Sequence, residues 1–205
     1  MPKAKKATKP KKPSPVRNTI MSKSRGLFGK KGYQNTTVKD IATAYGCEPA
    51  NIYNFFPSKE AILFEILSDE MDAIVGPIRF IETDEKGDPV DQLKAIFESH
   101  GQVTLGKMRT SRVLFDASLR SLINKHQRSI IEKRDEYDKL LRIVIKRGID
   151  SGVFEQTEEK LASFAIASII ARARVWYRPN GPMNVREIID TLFLFALKAL
   201  GYKGE

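Results

Sequence analysis

The sequence is short of several things. It has a single cysteine, Cys47, in 205 residues, so no disulfide forms within the chain and a reducing compartment suits it. Its two histidines, His100 and His126, stand apart, without the spacing of metal ligands. It has no phosphate-cradling glycine loop, no G-x-S-x-G elbow and no dinucleotide fingerprint. The acidic groups read as a solvated loop (Glu82, Asp84, Glu85) and an exposed helix face (Asp135, Glu136, Asp138), not as paired catalytic carboxylates. An enzyme is not expected, nor a metal or cofactor. The apolar run Leu161–Ala171 falls well below the roughly 20 residues needed to cross a bilayer, and Arg172 and Arg174 follow it. The first residues lack the apolar stretch of a signal peptide. From these absences a cytoplasmic protein is expected. No stretch alternates as a strand does, which leaves an all-α chain.

What is present is unevenly placed. Of a net charge of +10, the whole excess lies in residues 1–60, where thirteen basic residues face only Asp40, Glu48 and Glu60; residues 61–205 carry 22 charges of each sign. A basic N-terminal third meeting a polyanion, with a neutral remainder doing something else, fits this distribution, as does a solubilising tail on an ordinary protein. Residues 1–15, with six lysines, four prolines and no acid, cannot bury a core and are expected to be disordered. Such a tail either adds phosphate contacts or is passive.

Helical periodicity begins at Val16. Ile20, Ser24, Leu27 and Phe28 share one face of a first helix, and Gly29 and Gly32 end it. Thr36 or Thr37 caps a second helix, Val38–Tyr45, with Val38, Ile41 and Ala42 inward, and Gly46 breaks it. Pro49 opens a third, short helix running to Phe55, and Ser58 caps a fourth. Amphipathic helices follow at 91–105, 113–123 and 127–148. Segments 158–177 and 185–200 are apolar nearly all round, which demands burial on every side and so points to a subunit interface as well as a core. Phe164, Ile169, Leu192, Phe193 and Leu197 are the candidate dimer residues.

Two short helices joined by a tight turn at Gly46, inside a three-helix unit, have the skeleton of a major-groove reader; an ordinary three-helix bundle has it too. The stretch LFGKKGYQNTTVKDIATAYGCEPANIYNFFPSKEAI, from Leu27 to Ile62, resembles the N-terminal domain of the TetR family of repressors. The shared elements are Leu27–Phe28, Gly32–Tyr33, the run Thr36–Ala42, Gly46, then Ile52, Tyr53 and Phe56, and Ser58–Glu60. The resemblance implies a helix-turn-helix DNA-binding domain at 16–60 and a larger helical effector-binding and dimerisation domain at 61–205. It implies that Thr37 and Tyr53 hold phosphates and that Lys59 supplies a cation. Pro49, Ala50, Asn51 and Asn54 would face base edges, where asparagine pairs with adenine and Ala50 touches a thymine methyl. Ile41, Ala42, Ile52 and Phe56 would be core. Two features depart from the pattern. Glu48 is a poor cap and a negative charge beside DNA, and Glu48–Phe55 contains no Arg or Lys. Guanine readout is therefore not expected, and Lys39, Lys59, the first helix and the tail must supply the basic affinity. Cys47 suits a small apolar core position, where a thiol is inert.

The resemblance further implies a homodimer whose double-stranded DNA contact is released by a small-molecule effector. The segment Trp176-Tyr177-Arg178-Pro179-Asn180-Gly181-Pro182 is similar to one in TetR-type regulators of fatty-acid, phenylacetate and steroid degradation, which respond to acyl-CoA thioesters. Arg172 and Trp176, four apart, lie on one helix face where charge and stacking would hold a nucleotide-like headgroup. Arg112, Phe115 and Arg120 are further ligand candidates. Other apolar or aromatic effectors stay open, as does the plain reading in which the arginines complement a helix C-terminus. An alternative is a TetR-like protein that works through protein partners or coats DNA with little sequence preference.

Overall fold

Three of the four helices in the N-terminal third begin on a side chain that caps them. Ser14 accepts the Arg17 N–H at 3.3 Å, and Ser58 accepts that of Ala61 at 3.0 Å. Thr37 and Asp40 form a reciprocal capping box. Glu48, by contrast, makes no side-chain cap, in line with the poor cap expected there. The computed structural model describes residues 14–106 and 119–204. Within them lie α1 (Pro15–Lys31), α2 (Val38–Tyr45), α3 (Pro49–Tyr53), α4 (Lys59–Val75), a 3-10 helix (Gly76–Glu82), α5 (Pro89–Leu105), α6 (Asn124–Asp150), α7 (Glu159–Trp176) and α8 (Val185–Ala199). No strand occurs among the described residues, and no helix is long and apolar enough to cross a membrane.

Gly46 sits in the left-handed region, φ 91°, where its N–H closes on the Ala42 carbonyl at 2.8 Å. A side chain there would be strained, so glycine makes the α2–α3 turn tight. Several boundaries differ from expectation. α1 begins at Pro15, inside the segment expected to be disordered, and passes through Gly29 to Lys31. Phe28 is buried against Tyr33, rings edge to face at 5.2 Å, and that packing outweighs the ~1 kcal/mol a helical glycine costs. α3 stops at Tyr53, two residues early. Of the expected 113–123 helix, residues 113–118 lie outside the described residues, and Ile123 is extended, serving as N-cap of α6. The 3-10 turn at Gly76-Pro77 was not expected.

A single apolar core runs from Ile20 to Leu200. Ile20, Met21 and Phe28 of α1 meet Ile41, Ala42, Ile52 and Phe56 there, all nearly inaccessible. α4 packs against α1 on one side and against α5 and α6 on the other, so it belongs to both halves of the molecule. α5 lies at the centre of the body, against α6, α7 and α8.

Candidate nucleic-acid interface and ligand cavity

α3 presents two faces. Ile52 is buried beneath it, while Ala50, Asn51 and Tyr53, with Asn54 just beyond, are exposed; Pro49 is half-buried. Tyr53 leaves 53% of its surface open, so its ring and hydroxyl are free to meet a partner. Arg17 holds this face from behind. Its guanidinium lies over the Phe56 ring at 4.2 Å, donates to the Phe55 carbonyl and pairs with Glu65 of α4. The sequence pattern did not reveal that role, because Arg17 and Glu65 are 48 residues apart.

Two expected phosphate-holding groups are otherwise engaged. The Thr37 backbone N–H and hydroxyl both donate to the Asp40 carboxylate at 2.8 Å, and Lys31 also donates to it, at 2.9 Å. The Thr37 backbone bond above all, then Lys31, holds the Asp40 carboxyl well below the usual carboxylate range. An anion, the protein's own, thus already sits on the N-terminus of α2. Lys59 is half-buried, not a free cation. Its ammonium donates to the Tyr33 and Thr36 carbonyls at 2.9 and 2.7 Å and lies 4.3 Å from the centre of the Tyr33 ring; burial lowers its pKa. It ties the α1–α2 turn to the start of α4. Lys39 is exposed.

A cavity of about 590 Å³ opens between α4, α5, α6 and α7. Met71, Ile74, Ala167 and Ala171 make much of its wall. Among the described residues its buried polar groups are His100, Tyr137 and Arg174. His100 Nδ1 lies 2.9 Å from the Tyr137 hydroxyl. Burial first, then the charge of Arg174, lowers the His100 pKa to about 3, so the imidazole is neutral. Burial raises the Tyr137 pKa. Arg174 pairs with the wholly buried Glu70 of α4 at 3.3 Å. The lining residues Lys160, Phe164 and Ser168 are exposed and mark the opening.

The ligand residues expected from the sequence do not gather here. Arg112 and Phe115 lie outside the described residues. Arg120 is exposed in a turn, and Arg172 and Trp176 (52% exposed) stand on the outward face of α7; none of the three lines the cavity. Arg172 and Trp176 share an outward face, while Ile166, Ile170, Ala173 and Arg174 make the inward stripe. His100, isolated in the sequence, follows Leu93, Ile96 and Phe97 along the buried face of α5, a position that signals a polar group held inside. The residues expected at a dimer interface differ in exposure within this chain. Phe193 (9% exposed) and Leu197 are buried within their own chain, Phe193 against Phe97 with ring centres 5.6 Å apart. Ile169 and Leu192 are half-buried and Phe164 is exposed. The large apolar side chains left outside on these helices are Leu161, Phe164, Trp176, Leu194 (56%) and Phe195 (58%).

Residues 20–66 match the family model "Bacterial regulatory proteins, tetR family", and residues 86–200 match "Tetracyclin repressor-like, C-terminal domain". The transcriptional repressor KstR2 of Mycobacterium tuberculosis is 25% identical over 190 residues, spanning 92% of this chain and 94% of its own. The crystal structure of PfmR, a TetR family transcriptional regulator of Thermus thermophilus, superposes with a TM-score of 0.78 at 30% identity, over 87% of this chain and 97% of its own. AibR, crystallised with isovaleryl coenzyme A and operator DNA, shares the fold with a TM-score of 0.76 at 18% identity, over 88% of this chain and 97% of its own. Two family models in order, the second spanning more than half of the chain, show that this protein belongs to the TetR family of helix-turn-helix transcriptional regulators.

Proposed function

We propose that the chain is a homodimeric repressor that binds a two-fold symmetric operator and leaves it when a small molecule enters the cavity between α4, α5, α6 and α7. The observation that carries the DNA reading is α3: Ala50, Asn51, Tyr53 and Asn54 stand exposed over a buried Ile52. In a major groove, Asn51 and Asn54 suit adenine, Ala50 and Pro49 suit apolar contact, and Tyr53 reaches a phosphate. Lys39 supplies charge, and Thr37 and Lys59 meet the backbone with whatever donors Asp40 and the turn carbonyls leave them. Residues 16–60 form the head and 61–205 the body, which binds effector and partner through α7 and α8. The chain acts by binding, not by catalysis, in the cytoplasm.

An acyl-CoA thioester is the effector class we favour. AibR binds isovaleryl coenzyme A, and the Trp176–Pro182 segment is similar to that of acyl-CoA-responsive relatives. The cavity volume suits an acyl group. Phe164, Ser168, Arg172 and Trp176 follow one another at four-residue steps, from the cavity's opening outward, as a headgroup trailing from it would require. Operator titration tests the reading. The protein should prefer a palindromic duplex with half-sites about 34–36 Å apart over random DNA by about 10³-fold or more at physiological salt, and acyl-CoA thioesters should release it. One observation favours a second reading: α3 has no cation, so equal affinity for all duplexes would make this a low-specificity DNA-coating protein.

A further inference from the structure

The start of α4 holds two things at once. Lys59 grips the head through the Tyr33 and Thr36 carbonyls. The next residue, Glu60, grips the body. Its Oε1 accepts the Ile123 backbone N–H at 3.1 Å and lies 2.8 Å from His126 Nδ1, with Oε2 at 3.1 Å. A carboxylate only accepts, so His126 Nδ1 carries the proton. Ile123 is the N-cap of α6 and has no side-chain cap of its own; Glu60 supplies the missing acceptor and places negative charge at the positive end of that helix. The His126 ring lies flat on Phe64, centroids 3.9 Å apart and planes 8° from parallel. Glu60 and Phe64 are one helical turn apart, so one face of α4 holds the imidazole by its edge and its plane. Gln34, in the head, donates to Ser121 at 3.1 Å beside it.

The same two helices line the cavity farther along, α4 with Met71 and Ile74 and α6 with Arg134 and Tyr137. Between the latch and the cavity, Lys133 of α6 donates to Ser68 of α4 at 2.8 Å. From Phe64 to Met71 is about 10 Å of helix. Whatever parts α4 from α6 at the cavity acts on one continuous seam that ends at His126.

We propose that Glu60, Phe64 and His126 form a latch that sets the angle of the DNA-reading head on the body. They are positioning residues: the latch touches neither the exposed face of α3 nor the cavity. The inference rests on the DNA-binding reading above. Without the latch, both heads of a dimer must be ordered at the operator, so affinity falls while the phosphates contacted stay the same.

Two measurements on the full-length protein test this. The first uses a duplex enriched by the wild-type protein from a random library. Glu60→Gln and His126→Ala should each weaken binding to it about tenfold, with the salt slope unchanged. The double variant should lose no more than either single one. His126→Asn, which keeps an N–H donor at the Nδ1 position, should recover most of the loss. The second measures the distance between spin labels on Thr43→Cys of the two heads, in a Cys47→Ser background; the distribution should broaden in His126→Ala. Binding within twofold of wild type, tighter binding, additive losses or an unchanged distance distribution would overturn the latch. If His126→Ala does not fold, Glu60→Gln and His126→Asn answer the same question. A wild-type protein that enriches no duplex removes the DNA-binding reading and the latch with it; enrichment with indifferent variants removes the latch alone.

Discussion

Lys59 shows how far a side chain's neighbours govern its use. A lysine opening a helix in a basic segment reads as a phosphate contact, yet here two carbonyls and a tyrosine ring take up its ammonium. Lys59→Ala should therefore destabilise the α1–α2 turn, by about 1–3 kcal/mol for the carbonyls left without their donor, seen as a lower melting temperature without DNA. Lys39→Ala should leave melting alone and reduce the salt slope of DNA binding by about 1. Asn51→Ala should change which base is preferred, at about 1–3 kcal/mol. His100 gives a pH signature. Its folded pKa of about 3 lies below an unfolded value near 6.5, so the unfolded chain takes up the proton first. Stability is then complete above about pH 6.5 and lost as pH falls toward 3, by at most ~1.4 kcal/mol per unit. His100→Gln should flatten that decline in urea melts at several pH values; an equally steep decline would show that other groups cause it.

At the scale of elements, the helix-turn-helix was legible because its signals are local. Thr37 caps α2, Gly46 turns the chain and Pro49 opens α3 within a dozen or so residues. Nothing lies within 4 Å of a Cβ added at Gly46, so Gly46→Ala should be penalised by backbone strain alone, about 1–2 kcal/mol. A calorimetric melt should show it; no change would mean the turn relaxes out of the left-handed region. α7 and α8 were recognised as helices but read as apolar nearly all round, with no face assigned to the core. Where a helix is apolar all round, its own pattern does not say which side faces the core.

For the whole molecule, the consequence is a sharp pair of variants on adjacent residues. Leu194→Asp with Phe195→Asp changes only outward side chains and should give folded monomers by sedimentation equilibrium. Phe193→Ala removes a ring packed on Phe97 and should cost about 3–5 kcal/mol of stability. A folded dimer from the first variant would place the subunit interface elsewhere. α4 is the other feature of this scale: one helix carries Lys59 and Glu60 at one end and Glu70, Met71 and Ile74 at the other, so it belongs to head, body and cavity together.

What the sequence determined by itself was whatever depends on neighbours along the chain: the all-helical class, the caps, the turn at Gly46 and the exposed register of Ala50, Asn51, Tyr53 and Asn54 over Ile52. Tertiary structure alone decided which residues meet. His100 and Tyr137 are 37 positions apart, and Glu60 and His126 are 66 apart. Such pairs leave no periodic trace, because their energy comes from the crossing of helices and the shared exclusion of water, neither of which a single segment encodes.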